Sequence, residues 1–325
     1  MLGLAVVAGA ALLYCIPMPG ESLRGAPPGL TVNERQAAVD LRRYVTHLAV
    51  DLGVRRASEA DSLRRAENYL HGELAPLTSL PGITLQREVI PSSPGDAANL
   101  VLDLPGQKPG PLVLIGAHYD SAPGGTPAAN DNGSGTAAAL VLARHFARTV
   151  HVLPLRIVLF ANEEMPHFTT ETMGSLWHAR GCKRRGEALR AMLSLETMGY
   201  YSDAPGSQKY PAPLSSLYPD RGNFIGFVGN LASRALVRES VGSFRAHASI
   251  ASEGAALPAE LPGIGWSDHW AFWQVGYRAI MVTDTALFRD PNYHELTDTP
   301  DKLDFEQLAR VVVGLQATIL ELATP

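Results

Sequence analysis

The chain has 325 residues, 46% of them hydrophobic, enough for one large core or two modest ones. A formal net charge of −5 gives no electrostatic basis for binding nucleic acid, and the one dense basic cluster, Lys183-Arg184-Arg185, reads as a solvated turn. Two cysteines, Cys15 and Cys182, exclude a disulfide framework.

Residues 2–16 are almost wholly apolar and include the small triplet Ala8-Gly9-Ala10. The run is shorter than the ~20 residues a spanning helix needs, and no Lys or Arg precedes it as an export signal's basic region would. Leu12-Leu13-Tyr14-Cys15 resembles a lipoprotein signal except that Tyr14 stands where a small residue belongs. The reading is an export signal or short membrane anchor over residues 1–18, placing the protein on the periplasmic or extracellular face; a buried N-terminal helix is the alternative. Residues 19–30, rich in Pro and Gly, read as a linker, and the catalytic domain follows from residue 31.

Asn33 can cap a first helix carrying Ala37, Val39, Leu41, Val45, Leu48 and Ala49. A second spans residues 58–74. Strands are expected at 83–90, 99–104, 112–117, 155–161, 191–196, 223–228 and 278–283. Helices fit 136–149, 174–181, 231–245, 267–275 and 305–322. Alternating strands and helices predict an α/β layer fold with a mostly parallel sheet. Residues 203–222, full of Pro, Ser and Tyr, read as a long surface loop.

Chemistry gathers at the ends of these strands. Gly116-Ala117-His118-Tyr119-Asp120-Ser121 and Ala129-Asn130-Asp131-Asn132-Gly133-Ser134-Gly135 lie between an apolar run and an alanine-rich one, which reads as buried strand, loop and helix. Open α/β sheets place their sites where loops leave the carboxyl ends of strands. Glu163 and Glu164 follow the next strand, Glu196 ends another, and His294 comes late. Zinc takes imidazole and carboxylate ligands, and two-metal hydrolases share a carboxylate between ions. His118, Asp131, Glu164, Glu196 and His294 are such a set. Asp131 is expected to open the helix after it, whose dipole favours a carboxylate there. Asp120 can accept the spare N–H of His118. In an extended segment Glu163 and Glu164 point opposite ways, so one can bind metal while the other serves as general base.

The order His-x-Asp, Asn-Asp-Asn-Gly-Ser-Gly, Asn-Glu-Glu, Glu and a late Tyr-His resembles the co-catalytic dizinc aminopeptidase family, whose relatives include glutaminyl cyclases and glutamate carboxypeptidase ectodomains. The similarity runs from about residue 47 to the C-terminus and includes Ser267-Asp268-His269 and Asp298-Thr299-Pro300-Asp301. The resemblance implies a single three-layer α/β domain, a mixed, mostly parallel sheet flanked by helices. It implies two Zn2+ ions, one held by His118 and Glu196, the other by Glu164 and His294, with Asp131 bridging. Glu163 would be the general base, Asp120 the orienter of His118, and a peptide the substrate.

Two departures from the pattern stand out. Position 196 is Glu, where aminopeptidases of the family usually carry Asp and some carboxypeptidase-type members carry Glu. The segment 165–173 is longer than usual and puts His167, Phe168 and Glu171 beside the metals, facing substrate. Asp268, His269 and Tyr293 are candidate substrate contacts, although Ser267-Asp268 equally suits a helix cap. Trp266, Trp270, Phe272 and Trp273 suit core packing better than a pocket wall. Asn132-Gly133-Ser134 matches a glycosylation acceptor, rejected because a glycan would block the metal loop.

The leading function is a zinc exopeptidase, an aminopeptidase that removes N-terminal residues through metal-activated water. The alternatives are a carboxypeptidase-type dizinc hydrolase, a single-zinc glutaminyl-cyclase-like acyltransferase, and a binding ectodomain without catalysis. The last fits poorly because all five ligands are present. A serine hydrolase fits worst, as no Gly-x-Ser-x-Gly elbow occurs.

Overall fold

The computed structural model describes residues 16–91, 96–212 and 214–324. The apolar run assigned to a signal or anchor therefore lies almost entirely outside the described residues. Among the described residues no helix is long and apolar enough to cross a membrane.

The strands are β1 (Thr84–Val89), β2 (Ala98–Leu104), β3 (Leu112–His118), β4 (Leu155–Phe160), β5 (Leu189–Glu196), β6 (Phe224–Asn230), β7 (Ala251–Leu257) and β8 (Ala279–Thr283). They form one sheet in the order β1-β2-β4-β3-β5-β8-β6-β7. Neighbours β4/β3, β3/β5, β5/β8 and β6/β7 are parallel, while β1/β2, β2/β4 and β8/β6 are antiparallel. The sheet is mixed and mostly parallel at its centre, as the sequence led us to expect.

The helices are α1 (Val32–Thr46), α2 (Ala60–Leu74), α3 (Gly135–Phe146), α4 (Gly174–Arg184), α5 (Arg234–His247), α6 (His269–Gln274) and α7 (Phe305–Leu322). Strand alternation sorts them into two layers. Val113 and Ile115 on β3, Ile157 and Leu159 on β4, and Leu193 and Leu195 on β5 share the large core with α1, α2, α3, α5 and α7. Leu114, Val158, Phe160 and Met192 face the other way, onto α4 and α6. Strands buried on both faces carry near-continuous apolar runs, which is why β3 to β5 were easy to find. Each fully buried Leu or Ile here contributes about 1.5–3 kcal/mol relative to exposure.

Four local expectations change. The first helix is capped by Thr31, not Asn33: Thr31 Oγ1 accepts the Glu34 amide at 3.2 Å and Glu34 returns the bond to the Thr31 amide, a reciprocal capping box. Val39, counted toward the core, is exposed. Strand β7 was missed, because Ala-Ser-Glu-Gly-Ala-Ala-Leu has few of the β-branched residues that mark strands. The stretch read as a linker runs along α5 and β7. Pro19 O and Gly20 O accept from Arg245, and Ser22 Oγ from the Ser252 amide; just before the stretch, Pro17 O accepts from Arg238.

Candidate active site

Strands β3, β4 and β5 lie side by side and run the same way, so their carboxyl ends open on one edge. β3 ends in His118, β4 continues into Asn162-Glu163-Glu164, and β5 ends in Glu196. The turn Ala129–Ser134 adds Asp131, and the loop after β8 adds Tyr293 and His294. Asn162 and His294 both take a positive φ, 60° and 61°. Non-glycine residues adopt that only when their surroundings impose it, as happens at functional sites.

These parts converge. His118 Nε2 lies 3.3 Å from Glu196 Oε2, 3.4 Å from Asp131 Oδ1 and 3.8 Å from Glu163 Oε2. His294 Nε2 lies 2.9 Å from Asp131 Oδ2 and 3.7 Å from Glu164 Oε1. Asp131 thus stands between the two imidazoles. His118, Glu163 and Glu196 form one compact triad of donor atoms, and His118, Asp131 and Glu164 a second. All but His294 are buried.

A further set of groups fixes these side chains. Asp120 Oδ1 and Oδ2 accept the Glu163 and Glu164 amides, each at 3.1 Å. Asp120 Oδ1 is also 3.4 Å from His118 Nδ1, outside hydrogen-bond geometry. Asp298 accepts the amides of Asn130 at 2.8 Å and Asp131 at 3.0 Å. Asn132 donates to Leu195 O and accepts the amides of Gly135 and Thr197, tying the turn to β5. A Cβ on Gly135 would sit 2.3 Å from Asn132 Oδ1, so only glycine fits this approach. Asp131 does not open α3: its φ and ψ, −107° and 92°, are non-helical, and the helix starts at Gly135. Ser267 does not cap α6 but donates from Oγ to Glu196 Oε2 at 2.7 Å.

Burial beside like charges pushes Glu163 and Glu164 well above the usual carboxylate range, and burial raises Glu196 as well. Burial would lower His118, but the Glu163 and Glu196 carboxylates outweigh it and hold the imidazole well above its ordinary value. His294 is likewise raised against its burial, by Asp131. Asp131 moves the other way, kept low against its burial by the two imidazoles. Asp268, fully buried behind the triad, is pushed by burial up to about 7.

The donor set fits divalent cations. Among the buried atoms left without a hydrogen bond are Asp131 Oδ2 and Glu164 Oε1, both turned toward His294 Nε2. Two carboxylate oxygens freed from hydrogen bonding beside imidazole nitrogens are the donor atoms a divalent cation takes.

Other residues singled out from the sequence are placed differently. His269 is turned into the core, with Nε2 on Ile264 O at 2.7 Å and its ring edge-on to Trp273, so it stands apart from the gathered carboxylates. Asp268 is fully buried and its two oxygens accept no hydrogen bond. Tyr293 stacks on His294 with ring centroids 3.9 Å apart. Asn132 is fully buried, in keeping with the rejected glycan. In the long 165–173 loop, His167 bonds Thr172, Phe168 tilts onto Trp270, and Glu171 pairs with Arg180. None of the three lines the cavity beside the metal-site candidates.

That cavity, about 450 Å³, runs from Glu196 and Tyr293 across β8, β6 and β7. Trp266 does help wall it, whereas Phe272 is core. The 203–222 segment, read as a plain surface loop, supplies Gln208, Tyr210, Leu214 and Tyr218 to its wall.

The model of peptidase family M28 matches residues 99–319, which span all the gathered side chains. The chain belongs to that family. As an M28 member it is a peptidase-class hydrolase. The uncharacterized protein YfbL of Escherichia coli is 38% identical to this M28 chain over 283 residues, covering 85% of each. The protein named Probable leucine aminopeptidase 1 of Trichophyton verrucosum is 25% identical over 236 residues, 66% of this chain and 56% of that one. Legionella LapA superposes with a TM-score of 0.72 at 18% identity, covering 94% of this chain and 80% of its own. A Bacteroides thetaiotaomicron glutaminyl cyclase superposes at 0.65 and 17%, covering 91% and 99%. At such identities the two structures speak to the fold alone.

One supporting residue left no trace in the sequence. Arg55 is completely buried and donates to the carbonyls of Leu48, Gly53, Tyr119, Pro127 and Ala128, all between 2.8 and 2.9 Å. Burial pulls its guanidinium down to about 10. An Arg in a short connecting stretch, followed by a second Arg, carries no signal; only the fold reveals it.

Proposed function

We propose that this chain is a dizinc exopeptidase, an aminopeptidase that removes N-terminal residues from peptides. The observation that carries the reading is the convergence of His118, Asp131, Glu163, Glu164, Glu196 and His294 within reach of one another at the carboxyl ends of β3, β4 and β5. His118 and Glu196 would hold one ion, Glu164 and His294 the other, with Asp131 between. Bound there, divalent ions polarise a carbonyl and acidify water.

The chain's own groups do the rest. Glu163, buried and raised in pKa, takes the proton from water as its oxygen bonds the carbonyl carbon. The C–N bond breaks, and Glu163 passes that proton to the leaving amine. Asp120 positions Glu163 and Glu164 through their amides, and Ser267 orients Glu196. Tyr293 lines the cavity wall, which supports its reading as a substrate contact. We also infer from composition that residues 1–18 export or anchor the protein, which membrane fractionation of the full chain tests: recovery wholly in the cytoplasmic fraction refutes it.

The deciding experiment combines zinc per chain with a panel of aminoacyl and N-blocked dipeptide substrates, with and without chelator. Two zinc ions and chelator-sensitive release of free N-terminal residues are expected. Cleavage of blocked peptides alone would overturn the aminopeptidase assignment, and one ion per chain would favour the cyclase-like alternative.

A further inference from the structure

The sheet draws a straight line from the metal-site candidates to a second carboxylate. Glu196 on β5 is paired with Thr283 on β8, Thr283 with Gly226 on β6, and Gly226 with Glu253 on β7. Directly paired residues project from the same face of a sheet. Three inter-strand steps of about 4.8 Å set Glu253 about 14 Å from Glu196, Cα to Cα.

Every member of this row lines the 450 Å³ cavity. Along the strands Gly226 and Val228, Glu253 and Ala255, and Met281 and Thr283 line it, and Phe227 and Gly254 between them also border it. A side chain at Gly254 would point to the opposite layer, against Met18 and Val241. Gly226, with no side chain, leaves a trough between the two ends.

Glu253 is therefore a carboxylate at the far end of a largely apolar cavity whose other carboxylate is Glu196. Its side chain is 24% exposed, and burial raises its pKa. Among the described residues it accepts no hydrogen bond. Arg245 Nη2 stands 3.5 Å from Oε2, but that guanidinium already donates to Pro19, Gly20 and Ser252. Tyr210 and Tyr218, stacked with centroids 5.6 Å apart, wall the same cavity and offer π faces to a cation.

We propose that Glu253 is the specificity-determining residue of this site and selects an N-terminal residue whose long side chain ends in a cation, arginine or lysine. The inference rests on the exopeptidase reading above. An extended arginine carries its guanidinium about 7 Å from its Cα. Added to the reach from the Glu196 carboxylate to a substrate backbone and from a guanidinium to a carboxylate, that spans the row. The methylenes lie on apolar wall while the charged head meets Glu253, as long cationic side chains commonly do.

The test compares the zinc-loaded full chain on arginyl- and citrullinyl-aminomethylcoumarin. Citrulline is the neutral analogue of arginine, so the ratio of the two isolates charge from shape. A ratio of kcat/KM of at least about tenfold in favour of arginine is expected, falling to near one in Glu253→Gln. Because both substrates are read on the same sample, partial misfolding cancels from the ratio. Equal rates in the parent protein, or an undiminished ratio in Glu253→Gln, overturn the proposal and leave the exopeptidase reading intact. No hydrolysis of any aminoacyl amide, leucyl included, overturns both.

Discussion

The carboxylate of Asp120 holds the backbone of Glu163: Oδ1 accepts the Glu163 amide at 3.1 Å, and Oδ2 accepts the next amide, of Glu164, at the same distance. One side chain at the end of the β3 strand thereby fixes two consecutive residues that leave β4. The two glutamates can then serve different purposes without exchanging places. The sequence suggested that Asp120 acts on the His118 ring, but its stronger engagement is with the neighbouring strand's backbone.

Replacing Asp120 by Asn leaves one acceptor oxygen and turns an NH2 group toward the other backbone N–H. The Glu163-Glu164 corner should loosen. Chelator competition is expected to show zinc affinity about 10- to 100-fold weaker, the usual effect of removing such a supporting group. Unchanged affinity in Asp120→Asn would mean that the two amide bonds do not hold the site.

Glu163 and Gln have nearly the same shape, so Glu163→Gln removes the proton acceptor and little else. Turnover should drop about 10²- to 10⁴-fold, while zinc content stays at the parent level. Normal hydrolysis by this variant would refute the proton-shuttle role. Loss of metal along with activity would instead make Glu163 part of the cation cage, as its 3.8 Å approach to His118 allows.

The crowded acids give the metal-free protein a distinctive pH response. His118 and His294 titrate above the ordinary imidazole value, and Glu163, Glu164, Glu196 and Asp268 above the ordinary carboxylate value. A group whose pKa is higher folded than unfolded contributes stability below its unfolded pKa and loses it as pH rises through the folded one. Asp131, held low, works in the opposite sense and loses its contribution only in acid. The metal-free protein should therefore melt at a lower temperature as pH rises from about 5 to about 8. Zinc compensates the same carboxylates, so the gap in Tm between loaded and metal-free samples should widen. A gap that narrows toward alkaline pH contradicts this balance.

The fold was legible where burial is two-sided. β3, β4 and β5 are near-continuous apolar runs, and the acids and imidazoles stand at their ends, so side chains as far apart in the chain as His118 and His294 could be grouped from the sequence. Legibility failed where one side chain does what many usually do. Glu253 sits in the missed strand β7, in an Ala-Gly-Ser context with no strand periodicity, and its pairing row with Glu196 exists only once β8 and β6 are in place. The 203–222 segment reads as a loop because its one regular element is the short 3-10 turn Leu214–Ser216, yet its tyrosines and leucine close a cavity. Asp131 shows a subtler error: the helix after it is real, but the backbone turns once more before it starts.

Arg55 offers the severest test of the scaffold. Its guanidinium ties the segment after β3, through Tyr119 O, to the chain entering the Asp131 turn, through Pro127 O and Ala128 O. Ser121 closes the same knot, its Oγ accepting the Arg55 amide at 3.0 Å. Arg55→Met keeps the apolar stem but removes five hydrogen bonds; Leu48 O and Ala128 O keep the Gly53 and Gly133 amides, whereas the carbonyls of Gly53, Tyr119 and Pro127 lose the guanidinium. The cost should reach at least about 3 kcal/mol, since each unpartnered buried group forfeits its solvation. Arg55→Lys retains the charge with three donors for five acceptors and should fall between parent and Met. Denaturant melts of zinc-saturated protein measure this order. If Arg55→Met is as stable as the parent, water must reach those carbonyls, and the clamp between the His118 and Asp131 loops lies elsewhere.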